Sequence, residues 1–248
     1  MKAMIFAAGL GTRLRPLTND RPKALVEVDG KTLLEITLLR LQKFGVHDVI
    51  INVHHFADSI VDYLRANQNF GTHIQISREE VLLDTGGGLK KVARFFLDTS
   101  PGVDEPFILH NVDVISSIDL QQMLQFHRKH RPLATLAVQD RETSRYLLFD
   151  DQPSLCGRRA GRNGNSEQVR PCPEPQALAF SGIHIISPRI FSLLNEEGSF
   201  SIINSYLRLA SQGEKILAFR ADEYYWLDLG RPENVAKASQ DFKDKVLS

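Results

Sequence analysis

Short apolar runs alternate with stretches of helical periodicity along most of this 248-residue chain. KAMIFAAG (residues 2–9) predicts a buried strand ending in glycine. TLLEITLLRLQKFG (32–45) repeats leucine and isoleucine at helical spacing and stops at Gly45, a glycine C-terminus. DVIINVHH (48–55) reads as a second strand, FADSIVDYLRAN (56–67) as a second helix and HIQISRE (73–79) as a third strand. DTGGGLKKVARFFL (84–97) predicts one helix opened by glycines, with Asp84 or Thr85 as its N-cap. PFILHNVDV (106–114) is a fourth strand, IDLQQMLQFHRKH (118–130) a helix and LATLAVQ (133–139) a fifth strand. This alternation implies a Rossmann-like α/β fold, with a mixed, mainly parallel central sheet and helices on both faces.

The rhythm breaks over residues 140–177, where turn formers, Asn163-Gly164 and several prolines predict an inserted antiparallel hairpin region with a mobile tip. Its basic run GRRAGR (157–162) reads as a solvated loop. Regular structure resumes with a strand over 177–187, helices over 187–194 and 201–213, strands over 215–221 and 223–230, and a closing helix over 231–247. One domain spanning 1–248, with the hairpin as an excursion, is the expected organisation.

Thirty basic and thirty acidic residues cancel, so a general nucleic-acid or membrane-surface binder is not expected and any positive field is local. No apolar stretch approaches the ~18 residues of a membrane span, and the start carries no signal-peptide pattern. Cys156 and Cys172 could pair, yet two cysteines in a chain this size fit a reducing cytoplasm.

The local field lies in MIFAAGLGTRLRPLTNDRPKAL (4–25). Glycines at the carboxyl end of a first strand let backbone amides approach a phosphate, and Arg13, Arg15 and Lys23 add cations suited to its oxygens. A polyphosphate ligand follows. A P-loop is excluded because GLGTRL lacks the Gly-Lys-Ser/Thr ending. A dinucleotide fingerprint is excluded because the loop runs into RLRPLT, which reads as extended chain. His54, His55 and His110 show no metal-ligand spacing and read as hydrogen-bonded rim residues.

AAGLGTRLRPLT followed by RPKALVEVDGKTLLE resembles the opening signature of the sugar-1-phosphate nucleotidyltransferases. LLDTGGGL, HNVDV, FSGIHIISP and WLDLGRPEN follow in that family's order, so the resemblance covers nearly the whole chain. The triple glycine and short length are most similar to the N-acetylmuramate-1-phosphate uridylyltransferase branch, with mannose-1-phosphate guanylyltransferases next.

The resemblance implies transfer of a nucleotidyl group, UTP favoured over GTP, to a sugar-1-phosphate with release of pyrophosphate. A GTP-dependent mannose- or heptose-1-phosphate guanylyltransferase, a cytidylyltransferase acting on phosphocholine and a nucleotide-sugar-binding regulatory homologue are the alternatives. It implies Mg2+ held by Asp113 and Asp228, with Arg13 on the departing pyrophosphate and Lys23 on the α-phosphate or sugar phosphate. Nucleotide contacts are implied at Ala7, Ala8, Gly9, Gly11, Thr12, Thr85, Gly86 and Gly87, with Glu79 or Glu80 at the base or ribose. The bare backbone of the triple glycine is expected to lie against a flat base. Sugar contacts are implied at Asn111, Ser181 and Gly182. Two positions depart from the family: no Glu-Lys-Pro precedes the sugar-pocket strand, leaving Arg170 as its substitute, and Val112 stands where glycine is usual. A monomer or small homo-oligomer acting in the cytoplasm is expected.

Overall fold

A computed structural model describes residues 1–98 and 105–243. The chain runs through β1 (Lys2–Phe6), β2 (Glu27–Val28), β3 (Lys31–Thr32), α1 (Leu33–Lys43), β4 (Asp48–Val53), α2 (Ala57–Ala66) and β5 (His73–Arg78). Next come α3 (Asp84–Lys91), α4 (Ala93–Leu97), β6 (Phe107–Asn111), β7 (Val114–Ser116), α5 (Leu120–His130) and β8 (Ala134–Gln139). It finishes with β9 (Arg145–Phe149), β10 (Leu155–Ala160), β11 (Ser166–Gln168), β12 (Gln176–Ile186), α6 (Ile202–Ser211), β13 (Ile216–Arg220), β14 (Trp226–Asp228) and α7 (Pro232–Lys243).

Cα packing divides the chain into two compact units. The first joins Met1–Leu82, Leu109–Ile118 and the segment from Tyr224 onward. Its strands lie in the order β6-β1-β4-β5, and β1, β4 and β5 are parallel, with Ile5 opposite Ile51 and Ile51 opposite Ile76. Ala3, Met4 and Ile5 are almost completely buried, as a continuous apolar run demands of a parallel strand. α1 starts where the Thr32 hydroxyl accepts from the Glu35 N–H at 3.1 Å. It buries Leu33, Leu34, Leu38 and Leu41, each worth about 1.5–3 kcal/mol when withdrawn from water, and the chain turns away at Gly45, φ +73°.

A second pairing in this unit matters most for chemistry. β14 runs antiparallel to β7, with Leu227 opposite Ile115 and Asp228 opposite Val114. The Leu229 N–H then donates to the Asp113 carbonyl at 2.7 Å. Two segments distant in sequence are thereby clamped, and each presents an aspartate at the clamp.

The second unit comprises Leu83–Ile108 and Asp119–Glu223. It carries the antiparallel array β11-β10-β9-β12, β8 antiparallel on β12, and β13 parallel on β8. The predicted hairpin region is thus three strands, and a small core of Leu148, Cys156, Cys172 and Ala177 fills it. Both cysteines are free buried thiols; burial and the Cys172 thiol push Cys156 up to about 12. Phe96 stacks on Phe107 at 3.9 Å, with Phe191 extending the stack at 5.6 Å from Phe107.

Several expectations change. The helix over 84–97 breaks at Val92, whose φ −100°, ψ 14° separates α3 from α4. Neither Asp84 nor Thr85 caps α3: Asp84 takes φ +56° and accepts from the Thr85 N–H, while the Thr85 hydroxyl accepts from the Ile202 N–H at 3.0 Å. The strand over 106–114 is interrupted after Asn111, so Asp113 sits in a tight turn. Within residues 187–194 the helical part is a short 3-10 turn over Pro188–Ser192, with Pro188 at its start. The closing helix is described to Lys243; predicted residues 244–247 lie outside the described residues. No described helix is long and apolar enough to cross a membrane.

Candidate active site

β1 ends at Phe6, and the glycine loop springs from there. Gly11 has φ +64°, a conformation cheap only without a side chain, and a Cβ there would lie 3.0 Å from Thr18 and 3.2 Å from the Lys23 stem. RLRPLT coils instead of extending. The Leu14 N–H donates to the Gly11 carbonyl at 2.9 Å, the Leu17 N–H to Leu14 at 2.9 Å, and the Thr18 hydroxyl to Gly11 at 2.8 Å. These short-range bonds satisfy a backbone that has no strand partner. Ala7 and Ala8 are buried, while Gly9, Thr12, Arg13 and Arg15 are exposed.

Lys23 opens a short 3-10 turn after Pro22, whose extended φ −70°, ψ 152° directs the lysine. Its ammonium meets the Asp113 carboxylate in an ion pair whose side chains are only 13% and 15% exposed. Asp228 joins them. Burial pushes its carboxyl above the ordinary range, and the Asp113 charge adds to that, while Lys23, the Gly230 N–H at 2.6 Å and Arg13 pull the other way. A Cβ on Gly230 would lie 2.7 Å from the Arg13 guanidinium and 2.8 Å from the Asp228 carboxylate, so both groups crowd one glycine. The unit therefore assembles Gly11, Arg13, Lys23, Asp113 and Asp228 at one place: two acids facing two cations. Asp113 and Asp228 are the pair able to hold a hard divalent cation. Among the described residues no group of three or more His, Cys, Asp or Glu gathers for that purpose.

Asn111 ends β6 half-buried, and Val112, 2% exposed, donates its N–H to the Phe6 carbonyl at 3.2 Å, welding the β6 end to β1. His110 is no rim residue. It is fully buried, burial and the Arg40 charge drop it to about 3, and its Nε2 has no partner among the described residues. His54 does form a hydrogen bond, from Nδ1 to the Glu79 carbonyl at 2.8 Å, and His55 lies against Phe56. Glu80 is exposed, whereas Glu79 is buried.

The remaining expected residues belong to the second unit. Gly86 and Gly87 do not offer bare backbone on their Cβ side. A Cβ on Gly86 would strike the Phe200 ring at 2.3 Å, and one on Gly87 the Gly198 carbonyl at 2.3 Å. The Gly86 N–H donates to the Phe200 carbonyl at 2.8 Å, so these glycines form a packing seam. Ser181 and Gly182 lie where the β12–β8 register shifts between Phe180 and His184, Gly182 taking φ +74°. Arg170, expected to substitute for the missing lysine, is engaged with its own surroundings. Its guanidinium pairs with Asp150 and donates to the Leu155 carbonyl at 2.8 Å and the Ser154 carbonyl at 3.0 Å, all within the hairpin region.

Sequence reasoning missed Asn52, which holds Ala7, and Gly230, which makes room for Arg13. A polar Asn inside the apolar run VIINV was the readable signal for the first; the second had none.

A glycine turn after a parallel strand, with acids and cations converging beyond it, is the kind of α/β site that handles phosphate esters. The chain belongs to the nucleotidyl transferase family, whose model matches residues 2–245, and is an enzyme of that class. It is 35% identical over 244 residues to the N-acetylmuramate alpha-1-phosphate uridylyltransferase of Caulobacter vibrioides, covering 93% of this chain and 92% of that relative. It is 29% identical to the UTP–glucose-1-phosphate uridylyltransferase of a Synechocystis species, covering 93% of this chain and 60% of the relative. In fold, it is similar to HddC of Yersinia pseudotuberculosis, with a TM-score of 0.75 at 23% identity over 97% of this chain and 99% of that one. A UDP-glucose pyrophosphorylase structure gives 0.76 at 20% identity over 98% of each chain.

Proposed function

We propose that the chain transfers the uridylyl group of UTP to a sugar-1-phosphate, with N-acetylmuramate α-1-phosphate the first candidate acceptor, and releases pyrophosphate. The observation that carries this reading is the convergence of Lys23, Asp113, Asp228 and Arg13 beside the glycine loop. The 35% identity to the Caulobacter uridylyltransferase supports the base and the sugar.

An oxygen of the sugar phosphate attacks the α-phosphorus of the triphosphate, and the bond from that phosphorus to the bridging oxygen breaks. Both reactants are anions, so neutralisation and positioning supply most of the acceleration. Lys23, withdrawn from Asp113, meets the α-phosphate oxygens. Arg13 binds the departing pyrophosphate with a planar fork suited to phosphate. The loop amides from Ala7 to Thr12 hold the rest of the triphosphate.

Two half-buried carboxylates, one of them held above its ordinary range, form a pair of hard-oxygen donors. That set fits Mg2+, which takes one or two carboxylates and completes its shell with substrate phosphates. Bound by Asp113 and Asp228, Mg2+ supplies charge neutralisation at the α-phosphate.

The test is a pyrophosphate-release screen of the four common triphosphates against a panel of sugar-1-phosphates, with and without Mg2+. UTP with N-acetylmuramate α-1-phosphate is the expected pair, and Asp113→Asn should abolish release while leaving the fold intact. GTP with mannose-1-phosphate as the best pair would replace the substrate reading; relatives named mannose-1-phosphate guanyltransferase match at 28–30% identity. Normal turnover in Asp113→Asn would remove the metal assignment.

A further inference from the structure

At the carboxyl ends of β1, β4 and β5, three groups line up across the sheet. The register sets Phe6 opposite Asn52 and Asn52 opposite Ser77. One residue past the end of β1, the Ala7 N–H donates to the Asn52 Oδ1 at 2.8 Å. The Asn52 Nδ2 donates to the Glu79 Oε1 at 2.7 Å. Asn52 is 3% exposed and Glu79 5%. Glu79 is itself fixed by its backbone: its N–H donates to the Val53 carbonyl at 2.8 Å, and its carbonyl meets the His54 Nδ1 at 2.8 Å.

The row has one direction. Flipping the Asn52 amide would set its NH2 against the Ala7 N–H and its oxygen against a carboxylate, so a single orientation satisfies both neighbours. The amide suits the place because the site asks for an acceptor on one side and a donor on the other. Ala7 is the hinge peptide between strand and glycine loop, and the side chain of Asn52 takes the place of a strand partner there. The brace fixes the plane of the peptide from which Ala8 to Thr12 spring.

We propose that Asn52 is a positioning residue for the nucleotide-binding loop, held in its working orientation by Glu79. The inference rests on the reading of that loop as the triphosphate cradle. Neither side chain touches substrate; both act through the Ala7 peptide.

The test is a donor–acceptor swap read in two ways. Asn52→Asp puts two buried carboxylates side by side and removes the donor, which is costly. The double variant Asn52→Asp/Glu79→Gln moves the amide to position 79, where it donates to the carboxylate now at position 52. That carboxylate still accepts from Ala7, so the row is rebuilt with its donor moved. Asn52→Asp should raise the UTP KM about tenfold or more, with kcat changed less than about threefold. The double variant should return to within about threefold of wild type, a non-additivity that separate structural losses do not produce. Amide hydrogen exchange on the ligand-free, metal-free protein supplies the second reading: residues 7–12 should exchange faster in Asn52→Asp and at the wild-type rate in the double variant. A double variant as impaired as Asn52→Asp in both readings overturns the brace. So does unchanged exchange at 7–12 in Asn52→Asp. If wild type binds no UTP yet the exchange pattern holds, the nucleotide reading falls and the brace stands.

Discussion

Gly9 has nothing within 4 Å of where a Cβ would sit, whereas at Gly87 that Cβ would lie 2.3 Å from the Gly198 carbonyl oxygen. The two glycine-rich stretches, 9–11 and 86–88, look alike as sequence and serve opposite ends. In the first, absent side chains leave open approach to backbone amides and permit the left-handed turn at Gly11. In the second, they let a helix press against residues 198–200 on the side where the Cβ atoms of Gly86 and Gly87 would stand. A glycine cluster marks closeness; its surroundings decide whether the near neighbour is a ligand or the protein itself.

Lysine substitutions sharpen the contrast most. Lys23→Ala should cost at least ~100-fold in turnover, roughly 2.7 kcal/mol of transition-state stabilisation. Lys90→Ala, beside the second stretch and donating to the Glu196 carbonyl at 2.6 Å, should leave turnover within about threefold. Comparable losses in both variants, measured by pyrophosphate release, would break the comparison. Gly87→Ala comes next. The Gly198 carbonyl is backbone and cannot swing aside, so overpacking should cost on the order of 1–3 kcal/mol. Thermal melting checks it, and an unchanged midpoint would show that the seam yields.

A smaller effect separates charge from fold at the acid pair. Burial and Asp113 raise the Asp228 carboxyl, so the folded state binds its proton more tightly than the unfolded state does. Ionised Asp228 therefore lowers stability as pH rises above its unfolded value of about 3.9. Asp228→Asn should raise the melting point of the metal-free protein at pH 7, with the gain vanishing below about pH 4, although pyrophosphate release is lost. A lower melting point at pH 7 would mean that Lys23 and Arg13 outweigh the burial. The smallest change expected is in Gly9→Ala, which should alter stability by less than about 0.5 kcal/mol and weaken UTP binding through the crowded amides. A midpoint shift of several degrees would place Gly9 with Gly87 instead.

Most of the α/β alternation was legible because buried parallel strands and amphipathic helices write their periods directly. β1, α1, β4, α2 and β5 all fall inside the stretches the pattern marks. The convergence of Lys23, Asp113 and Asp228 follows the order of motifs that the resemblance supplied. What stayed hidden depends on partners distant in sequence. The aspartates meet because Asp228 pairs opposite Val114, a register that no local pattern encodes. Arg170 looked free in sequence and is bound by Asp150. Asn52 lies inside a predicted strand, and its partners Ala7 and Glu79 come from the ends of two others. The packing of the TGGG run against Phe200 was hidden because that neighbour lies far along the chain.

The unit bearing the acid pair is stitched from three stretches of chain, with Tyr224 onward joining last. A polypeptide halted during synthesis at residue 220 already owns the loop, the lysine and Asp113, yet lacks Asp228 and the strand that clamps it. Under the proposed function, activity waits for the ribosome to pass Asp228, after a long loop has been closed at an entropic cost. Chains cut short before Tyr224 should be inert, however well their early portions fold.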